Sequence, residues 1–161
     1  MLRLLAGCAA LALAVVAPQA QAAAADPIGD LIQNLQAIGE AALNAPAWLM
    51  KATLYHSGHG VGTRDASGCK AVPMRTLAVD PHVVPRRSLV FIPETVGLPL
   101  PGGGSHDGLW YASDVGGAIK GQRIDLYTGL SAASMKPLMA LNLKSLTVKR
   151  ISSFDGCPPV S

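Results

Sequence analysis

Apolar positions fall into three regimes along the chain. From Leu4 to Val16 they run without a break, behind a short cationic start, Met1-Leu2-Arg3. Ala20-Gln21-Ala22 follows, with the small residues that signal peptidase reads. Residues 1–22 are therefore predicted to be a signal peptide. The run is too short to cross a bilayer comfortably and no second one follows, so no membrane span is expected. A rival reading sits inside the leader: Leu5-Ala6-Gly7-Cys8 matches the bacterial lipobox, which would put a lipid on Cys8. A lipobox should follow the apolar stretch, whereas here most of that stretch comes after the cysteine.

The second regime has helical spacing. Asp26-Pro27 offers an N-cap followed by proline at the first helical position. Ile28, Leu31, Ile32, Leu35 and Ile38 then recur as one face of an amphipathic helix that ends near Asn44 and is stopped by Pro46. Residues 23–50 read as a helical segment packed on its own domain, with docking to a partner or a membrane surface as the other reading. From Lys51 the period shortens. Short apolar or β-branched segments alternate with Gly, Pro, Asp and Ser, and predict strands at 51–56, 74–79, 88–93, 108–113, 122–128 and 146–151. Ser131 to Leu143 has room for a short or broken helix around Pro137. Leu98 to Gly108, rich in proline and glycine, reads as a mobile loop.

Six short strands in so few residues favour a small closed barrel, since closure removes exposed strand edges. The predicted organisation is a barrel over 51–151 and a tail over 152–161. Composition changes this picture little. The net charge of +3 is dispersed and aromatics make up 4% of the 161 residues, so nucleic-acid binding is poorly supported. Cys69 and Cys157 remain after the leader and form a candidate disulfide in an oxidising compartment. Neither stands in a CxxC spacing, which argues against structural zinc.

Three aspartates carry the candidate chemistry. Asp80 closes the segment Arg75 to Asp80, ahead of Pro81. Asp114 closes the segment Leu109 to Asp114, just before Gly116-Gly117. Both positions aim a carboxylate into a turn, and turn formation alone would explain either one. Asp125 lies inside a strand, alternating with Ile124 and Leu126 and sharing a face with Arg123 and Tyr127. A carboxylate there needs a partner or a function. His56 and His59 lack a nearby third ligand, no dense oxygen-ligand loop suggests calcium, and no Gly-x-Ser-x-Gly elbow is present. Neither a metal nor a cofactor is expected.

The run Asp114-Val115-Gly116-Gly117-Ala118-Ile119-Lys120-Gly121-Gln122-Arg123-Ile124-Asp125 resembles the signature of the 3D domain, named for three aspartates. That domain is also the catalytic barrel of the membrane-bound lytic transglycosylase A family. Pro73 to Pro81, Val84-Pro85 with Ser88, His106-Asp107-Gly108 and Ala52-Thr53-Leu54-Tyr55 also resemble the family, so the likeness covers about residues 51–151. It implies an all-β, six-stranded double-psi β-barrel. It also implies cleavage of the β-1,4 bond between N-acetylmuramic acid and N-acetylglucosamine, with closure of a 1,6-anhydro ring. Peptidoglycan glycan strands would be the partner and the cell envelope or periplasm the location.

Carried over, Asp114 takes the catalytic position, with Asp80 and Asp125 as supporting carboxylates. One residue serves as acid and then as base, and neighbouring acids and burial help it hold a proton near neutral pH. Gly116 and Gly117 would let the glycan approach the backbone, and Lys120 and Arg123 would hold its polar groups. His106 and Asp107 read as a turn packed near the groove. The larger family members complete that groove with a second domain. In this chain loops 57–72 and 97–107, the N-terminal helix or a second copy in a homodimer would have to do so. A non-catalytic wall-binding or wall-loosening module is therefore the alternative.

Overall fold

The computed structural model describes residues 27–44, 46–58 and 64–160. The predicted leader and its predicted cleavage site, Cys8 and His59 lie outside the described residues. Helix α1 spans Pro27–Asn44, as the apolar spacing predicts, and six strands follow: β1 Ala47–His56, β2 Thr76–Val79, β3 Ser88–Phe91, β4 Leu109–Asp114, β5 Arg123–Gly129 and β6 Ser145–Ser153. They close a barrel in the order β1-β5-β2-β4-β3-β6. Two pairs, β1 with β5 and β2 with β4, run parallel and the rest antiparallel. This is the expected double-psi barrel. The chain enters it four residues earlier than read, because Ala47 to Met50 already pair with β6.

Strand periodicity sorts the side chains. Met50, Ala52, Leu77, Val79, Trp110, Ala112, Ile124, Leu126, Leu146 and Val148 fill the core, so residues alternating with them on β1 and β5 face outward. Lys51, Thr53 and Tyr55 thus share one side with Arg123, Asp125 and Tyr127. A Leu126→Ala change would leave a cavity in this core, at a cost of about 2–5 kcal/mol.

Two expectations need correction. Leu98 to Gly108 is an ordered hairpin: Gly97 and His106 N–H donate to the His106 and Leu98 carbonyls, and Leu98 and Leu100 pack on the core. Its anchor is His106, which is buried and stacked on Trp110 with ring centres 4.9 Å apart. Nε2 lies 2.7 Å from the Met74 carbonyl and Nδ1 accepts the Gly108 amide at 2.8 Å, which fits the neutral Nε2–H tautomer. Burial holds its pKa below the ordinary 6.5. Helix α1, second, does not bury the apolar positions seen on it. Leu31, Ile32 and Leu35 are 58%, 50% and 60% exposed, and the helix lies only lightly along β6. No helix among the described residues is long and apolar enough to cross a membrane.

Cys69 and Cys157 are joined by a disulfide with Cα atoms 5.5 Å apart. It ties the tail to the loop before β2, and Arg87 reinforces it by donating to the Gly156 carbonyl at 3.2 Å. A sequence separation of 88 means the bond constrains most of the unfolded barrel. Replacing both cysteines by serine should cost about 4–5 kcal/mol on the chain-entropy account. Urea unfolding with and without reductant measures this: reductant should lower the wild-type midpoint to that of the variant and leave the variant unchanged.

Candidate active site

The site follows from strand register. Ala78 on β2 pairs with Asp114 of β4 on one side and Asp125 of β5 on the other, and Asp125 pairs in turn with Thr53 of β1. Thr53, Asp125, Ala78 and Asp114 therefore form one row across four adjacent strands. The small residue lies between the two carboxylates.

Asp114 is firmly held. Its Oδ2 accepts the Tyr55 hydroxyl at 2.7 Å, and its Oδ1 accepts the amides of Ala66 and Val115, each at 2.9 Å. Burial, followed by the charge and hydrogen bond of Asp114, raises the Tyr55 pKa above its ordinary value, so Tyr55 remains a donor. Its ring packs against Tyr127 at 5.1 Å, and the Tyr127 hydroxyl meets Ser57 at 2.6 Å. The Ala66 amide is aimed by a turn closed by Asp65. That buried carboxylate accepts the Ser67 and Cys69 amides through Oδ1, each at 2.9 Å. Ser67 adds a hydroxyl bond of 2.7 Å to the Ser113 carbonyl.

Asp125 differs. Its Oδ1 is buried and has no hydrogen-bond partner among the described residues. Burial first, and then the neighbouring Asp114 charge, raise its pKa from 3.8 to about 6. The Thr53 hydroxyl and the Arg123 charge oppose the rise. The carboxyl lifted toward neutrality is thus Asp125, while Asp114, the residue expected to carry the proton, is the one that accepts three hydrogen bonds.

Asp80 is held by backbone amides. It is 7% exposed, and its oxygens accept the Gly121 amide at 2.7 Å and the His82 amide at 3.0 Å. These bonds hold its pKa below 3.8, Gly121 contributing most. Asp80 is a clasp between two turns. The glycines also part company. A side chain at Gly116 would meet Ile119 Cγ1 at 2.7 Å, so the protein itself occupies that space, whereas Gly117 faces open space. Arg123 Nη1 reaches the Ala118 carbonyl at 3.3 Å, lacing the glycine turn to β5, and exposed Lys120 contributes its charge near Asp80. Asp107 pairs with Arg75 and caps the Leu109 amide. Among the described residues, no hydrogen bond or ion pair joins the 98–108 hairpin to Asp114 or Asp125. His56 is bonded locally, Nδ1 accepting the Gly58 amide at 2.9 Å. No cluster of three metal-ligating side chains occurs among the described residues.

Sequence reasoning missed Thr53, Tyr55 and the Ala66 amide as parts of this site. The alternation Lys51-Thr53-Tyr55 was a usable signal for the first two, but nothing local in sequence marks an amide 48 residues from its acceptor.

A closed six-stranded barrel is the fold that the resemblance drawn from the sequence implies. The family model of the 3D domain matches residues 75–136, which bears out that resemblance and encloses Asp80, Asp114 and Asp125. Among solved structures the chain is similar to Escherichia coli MltA with bound chitohexaose, at 24% identity over 56% of this chain and 28% of that one, with a TM-score of 0.42. It is also similar to the lytic transglycosylase LtgG of Burkholderia pseudomallei, at 29% identity over 53% and 24%, TM-score 0.38. Neisseria gonorrhoeae MltA gives 20% identity over 60% and 23%, TM-score 0.40. The chain thus spans about a quarter of the length of these proteins. A search of curated proteins finds no match.

The environment of Asp125 predicts a stability signature. A raised folded-state pKa means that the protonated form is favoured in the fold. Its contribution is complete below about pH 3.8 and lost as pH rises through about 6. Asp125→Asn removes that ionisation without changing shape. The Tm advantage of the variant over wild type should therefore grow from pH 4 to pH 6.5 and then level off. A pH-independent difference in calorimetry would contradict this environment.

Proposed function

We propose that the protein is a peptidoglycan lytic transglycosylase in which Asp125 is the single acid/base and Asp114 its charged neighbour. The observation that carries the reading is the Thr53–Asp125–Ala78–Asp114 row, in which one carboxyl is half-buried, partly unpartnered and raised to about 6. Two carboxylates held on either side of one intervening strand in a half-buried site do not readily ionise together, so one carries the proton. An acid of this pKa is suited to protonating a departing sugar oxygen near neutrality.

The balance of the step is closed. Asp125 gives its proton to the glycosidic oxygen as the C1–O bond breaks. The 6-hydroxyl of the same muramic acid attacks C1, and the Asp125 carboxylate takes the proton it releases. The products are a free 4-hydroxyl and a 1,6-anhydro ring, with Asp125 protonated again. Water is not consumed, so the second carboxylate of an ordinary glycosidase is not required as a water activator. Asp114, fixed by Tyr55 and the Ala66 and Val115 amides, supplies negative charge beside the positive charge that develops at C1. Gly117, open to solvent, leaves room for the glycan near the backbone. The proposed location is the cell envelope, in keeping with the oxidised Cys69–Cys157 pair and the predicted leader.

Digestion of purified sacculi followed by mass spectrometry tests the reaction. 1,6-Anhydromuramic products are expected; reducing-end muramic acid would exclude it, and sacculus binding without fragment release would favour a wall-binding module. Asp125→Asn should lower turnover by roughly 10²–10⁴-fold with the fold intact. Tyr55→Phe, which removes one charge-assisted hydrogen bond from Asp114, should cost about ten- to a hundred-fold.

In the wild type, kcat/KM should fall as pH rises through about 6, where the acid loses its proton. Asp114→Asn removes a charge that raises Asp125, so its alkaline limb should move to lower pH. An unmoved limb would count against the pairing.

A further inference from the structure

The loop that holds Asp114 carries a second feature on its outer side. Arg64 Nη1 donates to the Gly68 carbonyl at 2.6 Å. Arg86 Nη2 donates to the Ala66 carbonyl at 2.6 Å and to Ser67 Oγ at 3.0 Å. Ala66 is the residue whose amide binds Asp114. Arg87 donates from Nη1 to the carbonyl of Gly156, next to Cys157, whose disulfide returns to Cys69 on the same loop. Three guanidinium groups are thus gathered on one short loop and its tether, at the edge of the acidic pair.

All three arginines are exposed. Their bonds go to neutral oxygens, and among the described residues none of them forms an ion pair with a carboxylate. Of the acids in these segments, Asp65 is buried and engaged by amides, and Asp155 stands exposed on the tail. Each guanidinium has five N–H donors in a planar fork, and the bonds described use one nitrogen of each. The remaining edge suits bidentate carboxylate recognition, a task for which arginine is better shaped than lysine.

We propose that Arg64, Arg86 and Arg87 form a rim that binds the acidic peptide carried by the muramic acid residues of the glycan, so that the site prefers peptide-bearing strands to bare ones. The inference rests on the glycan-cleaving function proposed above. A sugar seated at Asp125 and Asp114 places its substituents at the loop that touches Asp114, where the rim stands. Scarce aromatics argue against a nucleic-acid partner for the same charges.

Binding measured by calorimetry tests the rim without turnover. The Asp125→Asn protein is titrated with a soluble disaccharide tripeptide, with the same disaccharide after enzymatic removal of the peptide, and with polyglutamate. The peptide-bearing sugar should bind most tightly. Arg64→Gln with Arg86→Gln should weaken that binding by about ten- to a hundred-fold, the loss of one or two charge-assisted contacts, and leave the peptide-free sugar unchanged. Arg87→Gln, which leaves the bonds to Ala66 and Ser67 intact, should show a smaller loss with the same selectivity. Equal weakening for both sugars would mean the arginines only support the loop, and would overturn the proposal. So would no weakening, or polyglutamate binding as tightly as the disaccharide peptide. Selective binding together with failure to form anhydro products would retain the rim and remove the reaction, so the two ideas fail separately.

Discussion

Two aspartates registered across a single alanine are the constraint on which the rest of the site depends. The parallel β2–β4 pairing sets Asp114 beside Ala78, and the antiparallel β2–β5 pairing sets Asp125 on the other side. In water such a pair would ionise twice. In a half-buried row the electrostatic cost of doing so is large, and the two environments resolve the competition. Asp114 is surrounded by donors. Asp125 has a buried oxygen without one among the described residues. The asymmetry is built by neighbours from β1 and from the loop around Ala66, not by the aspartates themselves.

Much of the fold was legible because a barrel strand advertises itself by period. Ile124-Asp125-Leu126 reads at once as one face in and one face out, and all six strands were placed within a few residues of their positions. The loop from Leu98 to Gly108 misled because proline and glycine signal a turn and say nothing of how tightly it is held. Its order comes from His106, whose ring bonds and stacking on Trp110 are non-local. In the same way α1 showed an apolar face in its spacing, but spacing does not say whether a surface exists to cover it.

The candidate site was legible as a set of residue types and not as a set of roles. The three aspartates could be picked out, since each interrupts an apolar or turn-forming pattern. Ranking them required partners. Asp80 and Asp114 look alike in sequence, each ending a strand before a turn. In the fold, Asp80 has both oxygens on backbone amides that tie two turns together, while Asp114 presents an oxygen to Tyr55. Gly116 and Gly117 look interchangeable as well, yet one lacks a side chain because Ile119 fills its space and the other faces open space.

Residues 75–136 hold the three aspartates but not the groups that give Asp114 two of its three hydrogen bonds. Tyr55 comes from β1, before the matched segment, and Ala66 from a loop held by Asp65, by Arg86 and by a disulfide to a tail beyond its end. The environment of Asp114 is therefore a property of the closed chain. A protein could carry the same aspartate signature on the same scaffold, lack a tyrosine at this register and a loop amide over β4, and still fold. Its second carboxylate would then be free to turn toward solvent, and the first would lose the neighbouring charge that helps keep it protonated. Under the proposed function, the residues that decide whether such a barrel cuts a glycan or only holds one therefore include those that make this contact from outside the signature.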